Sequence, residues 1–223
     1  MLLLAADTSG KQGSIGLARC GPDDSCEIIE VAPLAGGTFS AQLVPQIAAL
    51  LGQHSLSKGD IGGFAVVSGP GSFTGLRVGL AAIKALAEVL HAPIAAVSLL
   101  EAVASLGPPG RVLAAVDAGR GEIYAGDYEV GREITPVSER LLTREEFVRA
   151  AAAAAAVVTP DRSIGEAARA STPAVYEIDV PRSDTIARLG WRKIRAGLTV
   201  SPEILEANYI RRSDAEIFAK PDK

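Results

Sequence analysis

Three stretches carry the residues best placed to do chemistry. One is the glycine-rich run VVSGPGSFTGLRVGLA at 66–81. The others are LLLAADTSG and VLAAVDAGR, in which Asp7 and Asp117 each end an apolar run and enter a turn. A glycine-rich turn between a strand and a helix can cradle phosphate on backbone N–H groups. A Walker loop also needs a Lys directly after its last glycine, and the nearest Lys downstream of Gly75 is Lys84. A dinucleotide fingerprint fits locally through Gly69, Gly71 and Gly75, with Glu101 near the end of the next strand. Its internal spacing is one residue long, and its unit follows an antiparallel meander. A nucleophile elbow needs G-x-S-x-G, whereas Ser72 is flanked by Pro70 and Thr74, and the last His is His91. None of the three patterns is complete.

The two carboxylates leave two readings open. Paired Asp turns at the mouth of a cleft between similar lobes can hold nucleotide phosphates and metal, as in a small actin-fold kinase or ATPase. Alternatively each Asp caps its own turn. The candidate anion or nucleotide contacts are Asp7, Thr8, Ser9, Ser72, Thr74, Arg77 and Asp117. Arg77 falls in a first helical turn, where the helix dipole disfavours a cation, so an anion or acidic side chain is expected beside it unless it points to water. No metal site is expected. His54 and His91 share no helix spacing, and Cys20 and Cys26 match no zinc or redox motif. Both thiols read as unpaired in a reducing compartment.

The elements that position these residues follow from periodicity. Short runs at LLLAAD, SIGLARC and CEIIEVA, separated by turns, predict an antiparallel meander. FSAQLVPQIAALLGQH repeats apolar residues at helical spacing, with Pro45 expected in its first turn. GGFAVVS predicts a strand, and TGLRVGLAAIKALAEVLH a long helix capped by Ser72 or Thr74. APIAAVS predicts a strand and LLEAVASL a helix. VLAAVDAG, EIYAGDYE and EITPVSE predict a second meander. A helix from Arg144 should run into Ala150–Ala156, since Ala is the best helix former. AVVTP predicts a strand, SDTIARLGWRKIRAG an amphipathic helix, and EANYIRRSDAEIF a polar tail anchored by Tyr209 and Ile210. Asp7 and Asp117 stand 110 positions apart, and at that offset Gly16 meets Gly126. The pattern predicts a degenerate internal duplication.

Gly75 and Gly79 are i and i+4, with Ala82 on the same face. Each helical glycine costs about 1 kcal/mol relative to Ala, so another backbone should come very close. That backbone can belong to this chain or to another subunit.

Composition bounds the function. The chain has 223 residues, 48% hydrophobic but only 4% aromatic, so the core must be aliphatic. The formal net charge is −4, with no basic stripe for nucleic acid. No apolar run approaches the ~20 residues of a membrane span. MLLLAAD is too short and uncharged for a signal peptide. A soluble cytoplasmic protein is expected.

Four stretches together resemble a known family. SGPGSFTGLRVGLAAIKALA is similar to the signature of the TsaB (YeaZ) proteins, subunits of the bacterial machinery that makes N6-threonylcarbamoyladenosine at position 37 of tRNA. LLAADTSGKQGSIGLA resembles that family's opening hairpin, AAVDAGRGEIYAGDY its second-lobe opening and ANYIRRSDAE its tail. The family has also been labelled M22 glycopeptidase-like, within the actin-like ATPase superfamily, but nothing in the sequence resembles a peptidase centre.

The resemblance implies an α/β fold of two duplicated actin-like (ribonuclease H-like) lobes, each a mixed five-stranded sheet with helices. It implies a first lobe at 1–108 carrying the partner-binding helices, and an abbreviated second lobe at 109–223 with a C-terminal tail. It implies a subunit without catalysis of its own that binds and activates a TsaD-like transferase together with a TsaE-like ATPase. Contact with tRNA would come only through the complex, and a homodimer would form when the chain is alone. No cofactor is implied in this chain, ATP or ADP being held, if at all, at the boundary with the partner. The TsaD subunit carries a metal-binding His-x-x-x-His, which this sequence lacks. The interface implied lies on helices 40–53 and 74–90, at Leu43, Ile47, Leu50, Gly75, Leu76, Gly79, Ala82, Ile83 and Leu86. The sequence departs from the family pattern at Phe39, Ser40 and Ala41, at Gly119 before Arg120, and at Ala207 and Asn208 before Tyr209, Ile210 and Arg211.

Overall fold

Nearly continuous apolar runs build the first sheet, because successive strand side chains point to opposite faces and both faces of β1 (Leu2–Asp7) are buried. The computed structural model describes residues 1–172 and 174–210, which leaves Arg211 and the rest of the expected tail outside the described residues. β1 (Leu2–Asp7), β2 (Gly13–Cys20) and β3 (Cys26–Leu34) form the expected meander. The chain continues through α1 (Phe39–Gln53), β4 (Ile61–Gly69), α2 (Phe73–Leu90), β5 (Ile94–Ser98) and α3 (Leu99–Ala104). β4 joins β1 and β5 joins β4, both parallel, giving the order β3-β2-β1-β4-β5.

The second half repeats this plan. β6 (Gly110–Gly119), β7 (Glu122–Val130) and β8 (Ile134–Thr143) form a meander. α4 (Arg144–Ala153), β9 (Val157–Thr159), α5 (Arg162–Arg169) and β10 (Val175–Glu177) follow, with β9 and β10 parallel. Read from its other edge, the order is β8-β7-β6-β9-β10, the same topology as the first sheet. The two mixed five-stranded sheets are the expected duplicated actin-like plan. The register is not identical. Asp7 faces Ser14, enclosing residues 8–13, whereas Asp117 faces Ile123, enclosing 118–122. The turn one residue shorter sets Gly126 opposite Ala114, while Gly16 faces Ala5.

Leu4, Ala6, Phe64 and Val66 share one core cluster with Leu43, Ile47 and Leu50 of α1 and Leu80 and Ile83 of α2. The alternate positions meet α6 (Ser183–Arg195): a Cβ on Gly190 would lie 2.3 Å from Cβ of Ala65. At the start of that helix the Ser14 and Ser183 hydroxyls pair at 2.8 Å, and further along Lys193 Nζ reaches Glu101 Oε2 at 2.9 Å. The first compact unit is therefore Met1–Ala102 together with Asp179–Ala207, and the second is built on Val103–Ile178. A division at residue 108 places 179–207 in the second lobe. The apolar face of α6 returns them to the first sheet. In the second unit α4 and α5 cover one sheet face through Phe147, Ala151, Ile164 and Ala168.

Two local expectations differ, and two short elements were not expected. Pro45 is the seventh residue of α1 and stands on its exposed side, in the second turn rather than the first. The alanine run leaves the helix after Ala153, because Ala156 O accepts from Leu113 N–H at 2.8 Å and leads into β9. α5 and β10 are too short to leave a periodic pattern. Among the described residues, no helix is long and apolar enough to cross a membrane.

Candidate functional site

The glycine-rich run forms the turn from β4 into α2, and its trough is filled by the chain's own backbone. Ser72 is the N-cap of α2, its Oγ accepting from Gly75 N–H. Leaving β1, Thr8 and Ser9 pass beneath the first two turns of the helix. Thr8 Oγ1 donates to Gly75 O at 2.7 Å, and Ser72 N–H donates to Ser9 O at 2.7 Å. A Cβ on Gly71 would lie 2.6 Å from Ser9 O, on Gly75 2.1 Å from Thr8 O, and on Gly79 2.3 Å from Thr8 Oγ1. The close approach at the glycine pair is made within the chain, Gly75 meeting the Thr8 backbone and Gly79 the Thr8 side chain.

This corrects the interface expected on those residues. Gly75 and Gly79 face Thr8, and Leu43, Ile47, Leu50, Leu76 and Ile83 are buried in the chain's own core. Ala82 and Leu86 are partly buried against the same cluster. What α1 and α2 leave outward is a different set, with Ala41, Val44, Ala48 and Ala49 on α1 and Ala81, Ala85 and Val89 on α2. Val44 and Val89 are 54% and 67% exposed. Both helices form where expected, but the rows expected to meet a partner are buried within the chain.

Asp7 and Asp117 make the same local bond. Asp7 Oδ1 accepts from Ser9 N–H at 2.8 Å and from Ser9 Oγ at 2.6 Å. Asp117 Oδ1 accepts from Gly119 N–H at 2.9 Å. Both are Asx turns, the capping role of the two readings. Asp117 also donates its N–H to Asp161 Oδ2 at 2.8 Å. Gly119, Arg120 and Gly121 all have positive φ, of 72°, 57° and 79°, so the departure at Gly119 supplies a residue that adopts this turn without strain. Phe39 is likewise a core residue, packed close against Gly13.

Burial pushes the Asp7 carboxyl above its ordinary 3.8, and the two Ser9 hydrogen bonds offset this only in part. The unfolded chain then loses its proton at lower pH than the folded one. Stability from this group is complete below 3.8 and is lost as pH rises through the folded-state value. Asp7→Asn, whose side-chain oxygen still accepts from Ser9, should remove that loss. Urea midpoints measured upward from pH 3.8 are expected to diverge, with the variant gaining on the wild type. Parallel profiles would contradict the assignment.

Arg77 Cζ sits 3.7 Å from the centroid of the Phe73 ring. The negative face of the ring is one group that this cation meets at the start of α2. Thr74 is exposed. His54 caps α1 and bonds Glu30 at 2.7 Å, and His91 caps α2 in the left-handed region. No group of three His, Cys, Asp or Glu side chains gathers among the described residues.

Comparison with known proteins fixes the lineage. A family model described as TsaD, tRNA N6-adenosine threonylcarbamoyltransferase, matches residues 31–189. A Bacillus subtilis relative named tRNA threonylcarbamoyladenosine biosynthesis protein TsaB is 35% identical over 131 residues, 58% of this chain and 56% of the relative. The Escherichia coli protein of the same name is 26% identical over 228 residues, covering 96% of both. A solved Pseudomonas aeruginosa structure, described as similar to peptidase YeaZ, superposes with a TM-score of 0.78 at 28% identity, covering 94% of this chain and 99% of the other. The chain belongs to the TsaB (YeaZ) family. The Gly71, Gly75 and Gly79 positions of this TsaB-family chain close the first lobe on itself.

Proposed function

We propose that the chain is the non-catalytic subunit of a tRNA N6-threonylcarbamoyladenosine synthesis complex, binding and activating a TsaD-like transferase with a TsaE-like ATPase. The observation that carries this reading is membership of a family whose relatives are named for threonylcarbamoyladenosine biosynthesis. The docking face is the outward side of α1 and α2, where Ala41, Val44, Ala48, Ala81, Ala85 and Val89 leave apolar surface open. Small side chains there let a partner helix approach closely, and the same face would pair two copies when the chain is alone. The net charge of −4 favours contact with tRNA through the complex rather than by this chain. The reading places the chain in the cytoplasm, with tRNA.

The kinase reading is disfavoured, because Asp7 is buried and occupied by Ser9 and Asp117 caps its own turn. Nucleotide binding belongs to the assembled complex. Titrating the isolated chain with Mg-ATP should release no heat of binding, and tight binding with turnover would reverse the assignment. Depleting the chain in its source should lower threonylcarbamoyladenosine in hydrolysed tRNA, measured by mass spectrometry. Unchanged modification would refute the proposed role.

A further inference from the structure

Cys20 and Cys26 stand directly opposite each other at the turn end of β2 and β3, joined by residues 21–25. Cys20 exchanges both backbone hydrogen bonds with Met1 on its other side, at 2.9 and 2.8 Å. The next rung, toward the turn, is bonded, with Gly21 N–H donating to Ser25 O at 2.9 Å. Cys20 and Cys26 are therefore a non-hydrogen-bonded pair, the closer kind, with Cα atoms about 4.5 Å apart. Opposed side chains share a sheet face, and ~4.4–6.8 Å is the Cα span that a disulfide bridges.

The surroundings differentiate the two thiols. The two thiols are buried and stand opposite each other, so one can hydrogen-bond the other. That bond draws Cys26 below the ordinary 9.0 against the effect of burial, helped by the charge of Arg188. The same bond holds the Cys20 proton in place. Arg188 is fixed there, its Nη1 donating to Cys26 O at 2.9 Å. A thiolate beside a guanidinium is the reactive form of cysteine.

We propose that Cys20 and Cys26 form a reversible dithiol–disulfide site, with Cys26, the less buried of the two and the one Arg188 is held against, attacking and Cys20 resolving. The oxidant is a small-molecule disulfide. The Cys26 thiolate attacks one of its sulfurs, breaking the reagent's S–S bond and expelling one small thiolate. Cys20 then gives up its proton and attacks Cys26 Sγ, expelling the second small thiolate. Two electrons pass from the protein pair to the reagent, and the protons lost by the cysteines go to solvent or to the released thiolates. The bridge closes the turn against which α6 is anchored, by Arg188 at Cys26 and by Arg195 at Asp24 (3.3 Å).

The test treats the folded, full-length chain with oxidised glutathione and reads intact mass and linked peptides. The expected product lacks two hydrogen atoms, joins Cys20 to Cys26 and returns to the dithiol under dithiothreitol. Cys20→Ala should instead accumulate one stable glutathione adduct on Cys26, and Cys26→Ala should leave Cys20 largely unreacted. Glutathione adducts persisting on the wild type without an internal link would overturn the proposal. So would a folded chain that stays reduced while the urea-unfolded chain is oxidised.

Discussion

Gly75→Ala is expected to destabilise the first unit by about 3 kcal/mol or more, the upper range for overpacking a closed site. The added methyl would arrive 2.1 Å from Thr8 O, a backbone atom held by its place between β1 and the helix start. Alanine's better helix propensity, about 1 kcal/mol, cannot offset a clash that must move a strand end. Gly79→Leu meets a side chain instead, Thr8 Oγ1 at 2.3 Å from its Cβ, an oxygen held by its bond to Gly75 O. Urea unfolding followed by the fluorescence of Trp191 reads the first unit selectively, because this single tryptophan is buried on α6 within that unit. An unchanged midpoint for Gly75→Ala would show that the trough is open rather than filled. Loss of partner binding in either glycine variant follows from lost folding and does not locate the interface.

Ala85→Arg should do the opposite. Ala85 is exposed on α2, so a long cation there costs the isolated chain almost nothing. Buried against a partner helix it would leave an unpaired charge, and affinity for the TsaD-like subunit should fall at least ~100-fold, about 2.7 kcal/mol. Trp191 unfolding of the variant should match the wild type. Calorimetric titration with the transferase subunit measures the loss. Equal affinity with an intact fold would move the docking face elsewhere.

Much of the architecture is legible in the sequence because its signals are local. Short apolar runs separated by turns give both meanders, and the Ser72 cap and Gly69–Gly71 turn give the start of α2. The partner of an element is not local. Gly75 and Gly79 announce a close backbone, yet spacing cannot say whose backbone it is, and Thr8 lies 67 positions from Gly75. The amphipathic pattern of α6 is clear, but it does not reveal that its sheet is the first one. Asp7 and Asp117 look alike in sequence as catalytic pairs or as turn caps. The Ser9 and Gly119 bonds show the turn-capping role, which the sequence left open. Cys20 and Cys26 match no spacing motif, because strand register rather than spacing sets them opposite each other.

Docking of a TsaD-like transferase on the outward face of α1 and α2 is the proposal on which the role of the chain turns. Light scattering on a gel-filtration column, with the purified chain and the transferase subunit of the same source, tests it most directly. A single complex of one chain with one transferase, dissolution of any homodimer on mixing, and no complex with Ala85→Arg are expected. Wild-type chain and transferase eluting as separate species, or Ala85→Arg retained in the complex as fully as the wild type, would contradict it.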